Sequence, residues 1–248
     1  MLNFTGKVLP VYTNFAGMNR FLSRDTATHL LQQLQASFSP FVYDPEKHRI
    51  ILLDEHKKEV AIFRLPLVLP APDQPLPEAK KVQYVILLVQ SGNSAMGYFE
   101  DGKNLDHKVF RSYMVRKKQG TSQVKYLKTK GKSRAGSRVR LGETVEFFDN
   151  INGRLQTYFS AHRIDRIALS CSKILQPYLY NSNVAPPFGK RDQRLYKIPM
   201  HVHTPIYEVM MEVNKFLLKG ELIYEPAQQA LIDALLPSSA ARPEQQED

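Results

Sequence analysis

The sequence predicts an α+β fold: a mixed sheet with packed helices, plus a small N-terminal α/β region. Three observations predict it. The first 65 residues mix one helix-spaced apolar pattern with two short strand patterns. A proline-dense stretch follows at 66–77, holding Pro66, Pro70, Pro72, Pro75 and Pro77. Beyond it, consecutive strand patterns give way to alternating helix and strand, the arrangement of layered folds in which helices cover a sheet.

In residues 19–38, Phe21, Leu22, Ala27, Leu30, Leu31 and Leu34 recur at close to helical spacing, and Pro40 ends the run. Residues 50–53 and 60–63 read as two strands joined by the charged turn Glu55-His56-Lys57-Lys58. Proline as dense as that at 66–77 removes backbone donors and stiffens the chain toward polyproline II. It predicts a linker over 66–81 and a domain boundary there. Residues 82–89 form a strong strand, and Ser91-Gly92-Asn93 a turn. Residues 95–100 and 108–115 follow as antiparallel strands, the second alternating Val109, Arg111, Tyr113 and Val115 on one face. A helix over 143–159, a strand over 166–170 and a helix over 205–218 with Pro205 in its first position complete the pattern. The expected organisation is an N-terminal region at 1–65, the linker, a main domain at 82–225, and a short helix with a disordered tail at 226–248.

The 248 residues carry a formal net charge of +10, a balance that favours polyanionic partners. The excess is local. From His107 to Arg140 there are twelve basic residues and no Asp or Glu: Lys108, Arg111, Arg116, Lys117, Lys118, Lys125, Lys128, Lys130, Lys132, Arg134, Arg138 and Arg140. Residues 119–136 contain Gly120, Gly131 and Gly136 and no periodic apolar face, so they read as a basic loop between a strand and a helix. Such a loop repels itself in isolation and orders on a phosphate backbone. The basic residues from Arg111 to Arg140 are therefore candidate RNA contacts, with the plain alternative of a solvated loop without a partner.

Inside the loop stands Gly120-Thr121-Ser122-Gln123. A neutral glutamine amide both donates and accepts hydrogen bonds and can hold a water. A glycine ahead of it lets the backbone approach an RNA 3′ end closely. Ester hydrolysis needs a placed water and donors for the developing oxyanion, which makes Gln123 a candidate catalytic residue and Gly120, Thr121 and Ser122 its loop.

These residues resemble the Vms-like release factor (VLRF) domain. The likeness runs through Tyr84-Val85-Ile86-Leu87-Leu88, Gly97-Tyr98-Phe99, and the block from His107 through Arg116-Lys117-Lys118-Gln119-Gly120-Thr121-Ser122-Gln123. It continues at Arg134-Ala135-Gly136-Ser137, at Gly189-Lys190-Arg191-Asp192-Gln193-Arg194-Leu195-Tyr196-Lys197-Ile198-Pro199, and in the helix after Thr204-Pro205. It covers roughly 82–224. The family is related to the catalytic middle domain of eukaryotic and archaeal class I release factors, and the resemblance implies a fold of that kind for 82–225. It implies a peptidyl-tRNA hydrolase that frees stalled chains in ribosome quality control, with Gln123 at the family's catalytic glutamine and Gly120 at its loop glycine. The implied partners are tRNA and the ribosome, at the peptidyl-transferase centre of the large subunit, with no cofactor. Activity as an endonuclease that cuts the tRNA near its 3′ end is equally compatible with the family. A non-catalytic ribosome- or RNA-binding module is the alternative from another class. The zinc finger, ankyrin repeats and unfoldase-binding segment of eukaryotic members have no counterpart here, which implies a compact bacterial member.

Other features exclude function classes. No run of 18 apolar residues predicts a transmembrane helix, so no membrane partner is expected. Met1-Leu2-Asn3-Phe4 does not open a signal peptide, and Cys171, the single cysteine, forbids an internal disulfide; a cytoplasmic location is expected. No phosphate-binding or dinucleotide fingerprint occurs. His201-Val202-His203 reads as surface or packing in the absence of further ligands, so no metal site is expected. Asp192 and Arg194 read as an internal ion pair shaping a turn, and Cys171 as core. Tyr113 and Tyr126 flank the basic loop, where an aromatic ring can stack on a base. Nothing in the sequence sets an oligomeric state.

Overall fold

The computed structural model describes residues 17–36, 40–75, 81–112 and 133–236, the helical residues 133–142 by their backbone. It is an α+β protein with two five-stranded sheets. The described residues divide into two compact units. One covers 83–211; the other runs up to Val82 and resumes at Glu212, the division falling within one helix.

The second of these units is built on an antiparallel sheet. Its strands are β1 (Met18–Leu22), β2 (Phe41–Asp44), β3 (Arg49–Leu53), β4 (Glu59–Arg64) and β10 (Gly220–Tyr224), in the order β1-β10-β4-β3-β2. Helix α1 (Arg24–Ala36) lies on it and buries Ala27, Leu30, Leu31 and Leu34 against Leu22, Ile50, Phe63 and Leu222. The expected helix over 19–38 thus starts later, because Ser23 caps it: Thr26 N–H donates to Ser23 Oγ at 3.1 Å. Residues 19–22 instead pair with β10, Met18 opposite Tyr224. Gly220 allows this packing, since a Cβ there would stand 2.9 Å from Ala27 Cβ.

The proline-dense stretch is not extended where it begins. Leu69 N–H closes a turn on Pro66 O at 3.0 Å, and Leu65, Leu67, Val68 and Leu69 are buried. The buried His48 organises this turn. Its Nε2 lies 3.2 Å from Pro66 O and 3.1 Å from Leu69 O, so the proton sits on Nε2 and Nδ1 accepts from Tyr43 Oη–H at 2.7 Å. A histidine side chain thus meets carbonyls that the neighbouring prolines cannot serve. The unit closes with helix α5 (Gln229–Leu235), whose Ile232 is buried in the same core.

The unit at 83–211 carries a mixed sheet in the order β7-β6-β5-β8-β9. Its strands are β5 (Gln83–Gln90), β6 (Asn93–Glu100), β7 (Lys103–Arg111), β8 (Arg166–Cys171) and β9 (Leu195–Lys197). β5 and β8 bury both faces, so they read as continuous apolar runs. The β6–β7 turn is Asp101-Gly102, with φ of 48° and 94°, a pair suited to a two-residue hairpin. It starts β7 five residues ahead of the strand expected at 108.

Helix α2 (Ser133–Ala161) crosses from β7 to β8 and packs Phe147, Phe148, Ile151 and Leu155 on Val85, Leu87 and Ile167. It begins ten residues before the helix expected at 143. Gly136 and Gly142 suggest a break there, but a glycine costs a helix only about 1 kcal/mol, and extension is cheap once the packed part has nucleated. The short helix α3 (Gln176–Tyr180) follows β8. Helix α4 (Tyr207–Leu218) starts two residues after Pro205. Its Met210 reaches the other sheet face at Gly97, where an added Cβ would lie 2.9 Å from Met210 Cε.

Candidate active site

The basic segment springs from the end of β7 and returns in α2. Two hydrogen bonds fix its root: Ser112 N–H donates to Gly92 O at 2.9 Å, and Ser112 Oγ–H to Glu143 O at 3.3 Å. The edge strand is thereby fastened both to the β5–β6 turn and to the helix. Beside this root an open cleft of about 320 Å³ is lined by Phe110, Arg111, Ser112, Glu143, Glu146 and Asn150, among others. Arg111, the first of the candidate RNA contacts past Lys108, is exposed on its rim. Glu143 Oε2 is shut off from solvent and has no hydrogen-bond partner among the described residues. The cleft therefore combines a cation, two carboxylates and an amide at the mouth of a segment rich in positive charge.

The candidate catalytic segment, Gly120, Thr121, Ser122 and Gln123, lies outside the described residues, as do Arg116, Lys117, Lys118, Lys125, Lys128, Lys130 and Lys132 and the flanking Tyr113 and Tyr126. Arg134, Arg138 and Arg140 stand on the backbone of α2. This corrects the expectation that the loop extends to residue 136: residues 133–136 are helical.

The downstream block serves the fold. Asp192 and Arg194 form a two-pronged ion pair, Nε to Oδ1 at 3.0 Å and Nη2 to Oδ2 at 2.7 Å, and Arg194 Nη1 also donates to Ile164 O at 3.2 Å. The Arg194 side chain beside Asp192 holds that carboxyl below the usual carboxylate range. The pair fixes the entry to β9 against the turn before β8. Asp149 does similar work on α2, where Ser182 Oγ–H, Val184 N–H and the Asn183 amide all donate to its carboxylate. The Ser182 bond is the largest of the influences that hold Asp149 below the ordinary range. Burial pushes the Cys171 thiol up to about 12, so it is no nucleophile at neutral pH.

His201 and His203 are both exposed, with ring centroids 4.2 Å apart at 83°. Val202 between them is buried, and its carbonyl accepts from Gln90 Nε2 at 2.7 Å. Among the described residues no group of three or more His, Cys, Asp or Glu is arranged to hold a metal ion. The cleft at the root of the segment and the return of residues 201–203 to the end of β5 were not readable from sequence. The Asp101-Gly102 hairpin signal was available and fixes where β7 begins.

No curated protein matches the chain. Among solved structures it is similar to one described as "Vms1 mitochondrial localization core", at 12% identity and a TM-score of 0.38, over 77% of this chain and 79% of that one. The family model of the Bacteroidetes VLRF1 release factor matches residues 84–225, which run from the second residue of β5 through β10 and include the whole basic segment between β7 and α2. Matched over more than half of its length, the chain belongs to the Bacteroidetes VLRF1 release factor family.

Proposed function

We propose that the protein hydrolyses the ester of peptidyl-tRNA on stalled ribosomes, freeing the nascent chain, with Gln123 orienting the attacking water. The single observation that carries this is the family match over 84–225, which encloses Gly120-Thr121-Ser122-Gln123 in a stretch of twelve basic residues without an acid. Release factors act on ribosomes, and the density of Lys and Arg suits an RNA-walled cavity. Gln123 supplies an amide that orders a water and donates toward the oxyanion, while the RNA surroundings complete the site. Glycine at 120 permits close approach to the 3′ end. The basic side chains from Arg111 to Arg140 bind tRNA and large-subunit phosphates, and the reaction takes place in the cytoplasm. The segment 82–225 carries the chemistry.

The test is peptide release from purified stalled ribosome–nascent chain complexes, with the tRNA 3′ end mapped. An intact terminal adenosine supports ester hydrolysis. A shortened end replaces the proposal with endonuclease action, and binding without release replaces it with an RNA-binding module.

A further inference from the structure

We propose that His201 and His203 form a second substrate contact, a seat for the unpaired 3′ end of the tRNA beside the root of the segment that bears Gln123. This rests on the peptidyl-tRNA reading above.

Strand direction supplies the first part of the argument. β5 runs parallel to β8, and β8 parallel to β9. β6 is antiparallel to both β5 and β7. β5, β7, β8 and β9 therefore all end at one edge of the sheet. From β5 the chain runs outward through β6 and β7, then crosses by α2 to β8 and β9 on the other side. The order reverses between β5 and β8. Open α/β sheets take their ligands outside the carboxyl ends of the strands at such a reversal, and this mixed sheet shares that strand order although β5 leaves by a tight hairpin.

Two hydrogen bonds then bring the histidines and the segment's root together. Gln90, the last residue of β5, holds Val202 O at 2.7 Å, and Gly92 O holds Ser112 N–H at 2.9 Å. Gln90 and Gly92 are two residues apart, a separation that spans at most ~7 Å of chain. Buried Val202 anchors its loop, while both flanking imidazoles stay exposed at that edge, one ring edge-on to the other.

The chemistry fits a single-stranded RNA end. Unpaired bases bind by stacking on aromatic rings, histidine included, and an imidazole also bonds ribose hydroxyl or phosphate. Exposed Lys173, just past the end of β8, and exposed Arg111, at the end of β7, supply positive charge along the same edge. The histidine loop itself, residues 198–206, carries no acid, and the carboxylates of Glu143 and Glu146 stand in the cleft beside Arg111.

The test uses the full chain and an RNA hairpin bearing either a short unpaired 3′ extension or a blunt end. Wild type is expected to bind the extended hairpin about tenfold more tightly, the yield of roughly one stacked base. The double variant His201→Ala/His203→Ala is expected to bind both hairpins alike, and Gln123→Ala to keep the preference. His201→Phe/His203→Phe, which retains the rings, is expected to restore much of it, separating stacking from damage to the fold. In peptide release, the double alanine variant is expected to raise KM and leave kcat near wild type. A wild type without preference, or a double alanine variant that keeps it, overturns the inference. If wild type releases no peptide, the hydrolase reading falls, and the hairpin comparison still decides the role of the histidines.

Discussion

Arg64 and Glu221 form a buried ion pair, Nε to Oε2 at 3.0 Å, with side chains 3% and 0% exposed. They join neighbouring strands β4 and β10 across 157 positions of sequence. Asn19 donates to the second carboxylate oxygen at 3.2 Å, and the guanidinium lies 4.2 Å from the Phe216 ring centroid. Breaking a buried pair leaves one charge uncompensated, which costs about 3–5 kcal/mol. Glu221→Ala is therefore expected to lower the midpoint of urea unfolding sharply. Replacing both partners with apolar residues of similar volume is expected to cost much less. Equal losses in the single and double variants would contradict this account.

The same pair illustrates what the sequence leaves hidden. α1 is legible from the spacing of Leu30, Leu31 and Leu34, and β5 from its apolar run. Residues 19–22 share the helical spacing, yet they form a strand because their partner lies some 200 positions away in β10. No local pattern carries that information. β9 is three residues long and too short for any periodicity. The turn at Pro66 depends on His48, a residue whose buried role is invisible until β3 and β4 are paired. At the candidate site, Gln123 is an expectation from its basic surroundings, its amide chemistry and the motif resemblance, since one glutamine has no spacing to read, and it lies outside the described residues. The convergence of Val202 and Ser112 on one turn is a property of strand order, which the sequence does not state.

Asp149 links α2 to the loop after α3, and its carboxyl is depressed by the Ser182 hydrogen bond first and by bonds from Val184 and Asn183 as well. A depressed carboxylate stabilises the fold fully above the unfolded-state value of ~3.9 and loses that contribution as pH falls through the lower folded value. Asp149→Asn is expected to cost about 1 kcal/mol at pH 7, a figure kept low because the carboxylate is part-exposed. The gap between variant and wild type should close as the pH drops below ~3.9. Urea melts at a series of pH values measure it, and a gap independent of pH would contradict the assignment.

Cys171 is expected to resist alkylation. With its thiol pushed up to about 12 by burial, the thiolate fraction at pH 8 is roughly 10³-fold below that of a free cysteine. The labelling rate of the native protein with iodoacetamide checks this. Cys171→Ser should leave peptide release unchanged, whereas a loss of release with retained stability would give the thiol a role in the chemistry.

Reversing Arg116, Lys117 and Lys118 to Glu is expected to weaken binding to ribosomes or tRNA. Each lost phosphate contact removes about 0.7–0.9 from the slope of log K against log salt, so three contacts together would flatten it by roughly 2–3. Binding isotherms at several salt concentrations read the slope directly. A weaker affinity with an unchanged slope would mean that the three residues do not touch phosphate.

Gln123→Ala separates binding from chemistry. In the proposed reaction the amide acts on the attacking water and on the oxyanion, both of which exist only on the way to the transition state. Losing interactions made there lowers kcat and leaves ground-state binding in place. Removal of one oxyanion-type donor or water-orienting group costs about 3 kcal/mol, or roughly 10²-fold in rate. The variant is therefore expected to occupy stalled ribosomes as wild type does and to release peptide about a hundredfold more slowly. The positive charge of the segment is untouched, so its salt dependence should also match wild type. Single-turnover release at saturating protein gives the rate free of the binding step. Wild-type rates from Gln123→Ala would remove the glutamine from the mechanism, and a loss of ribosome binding alongside the rate would make it a contact residue instead.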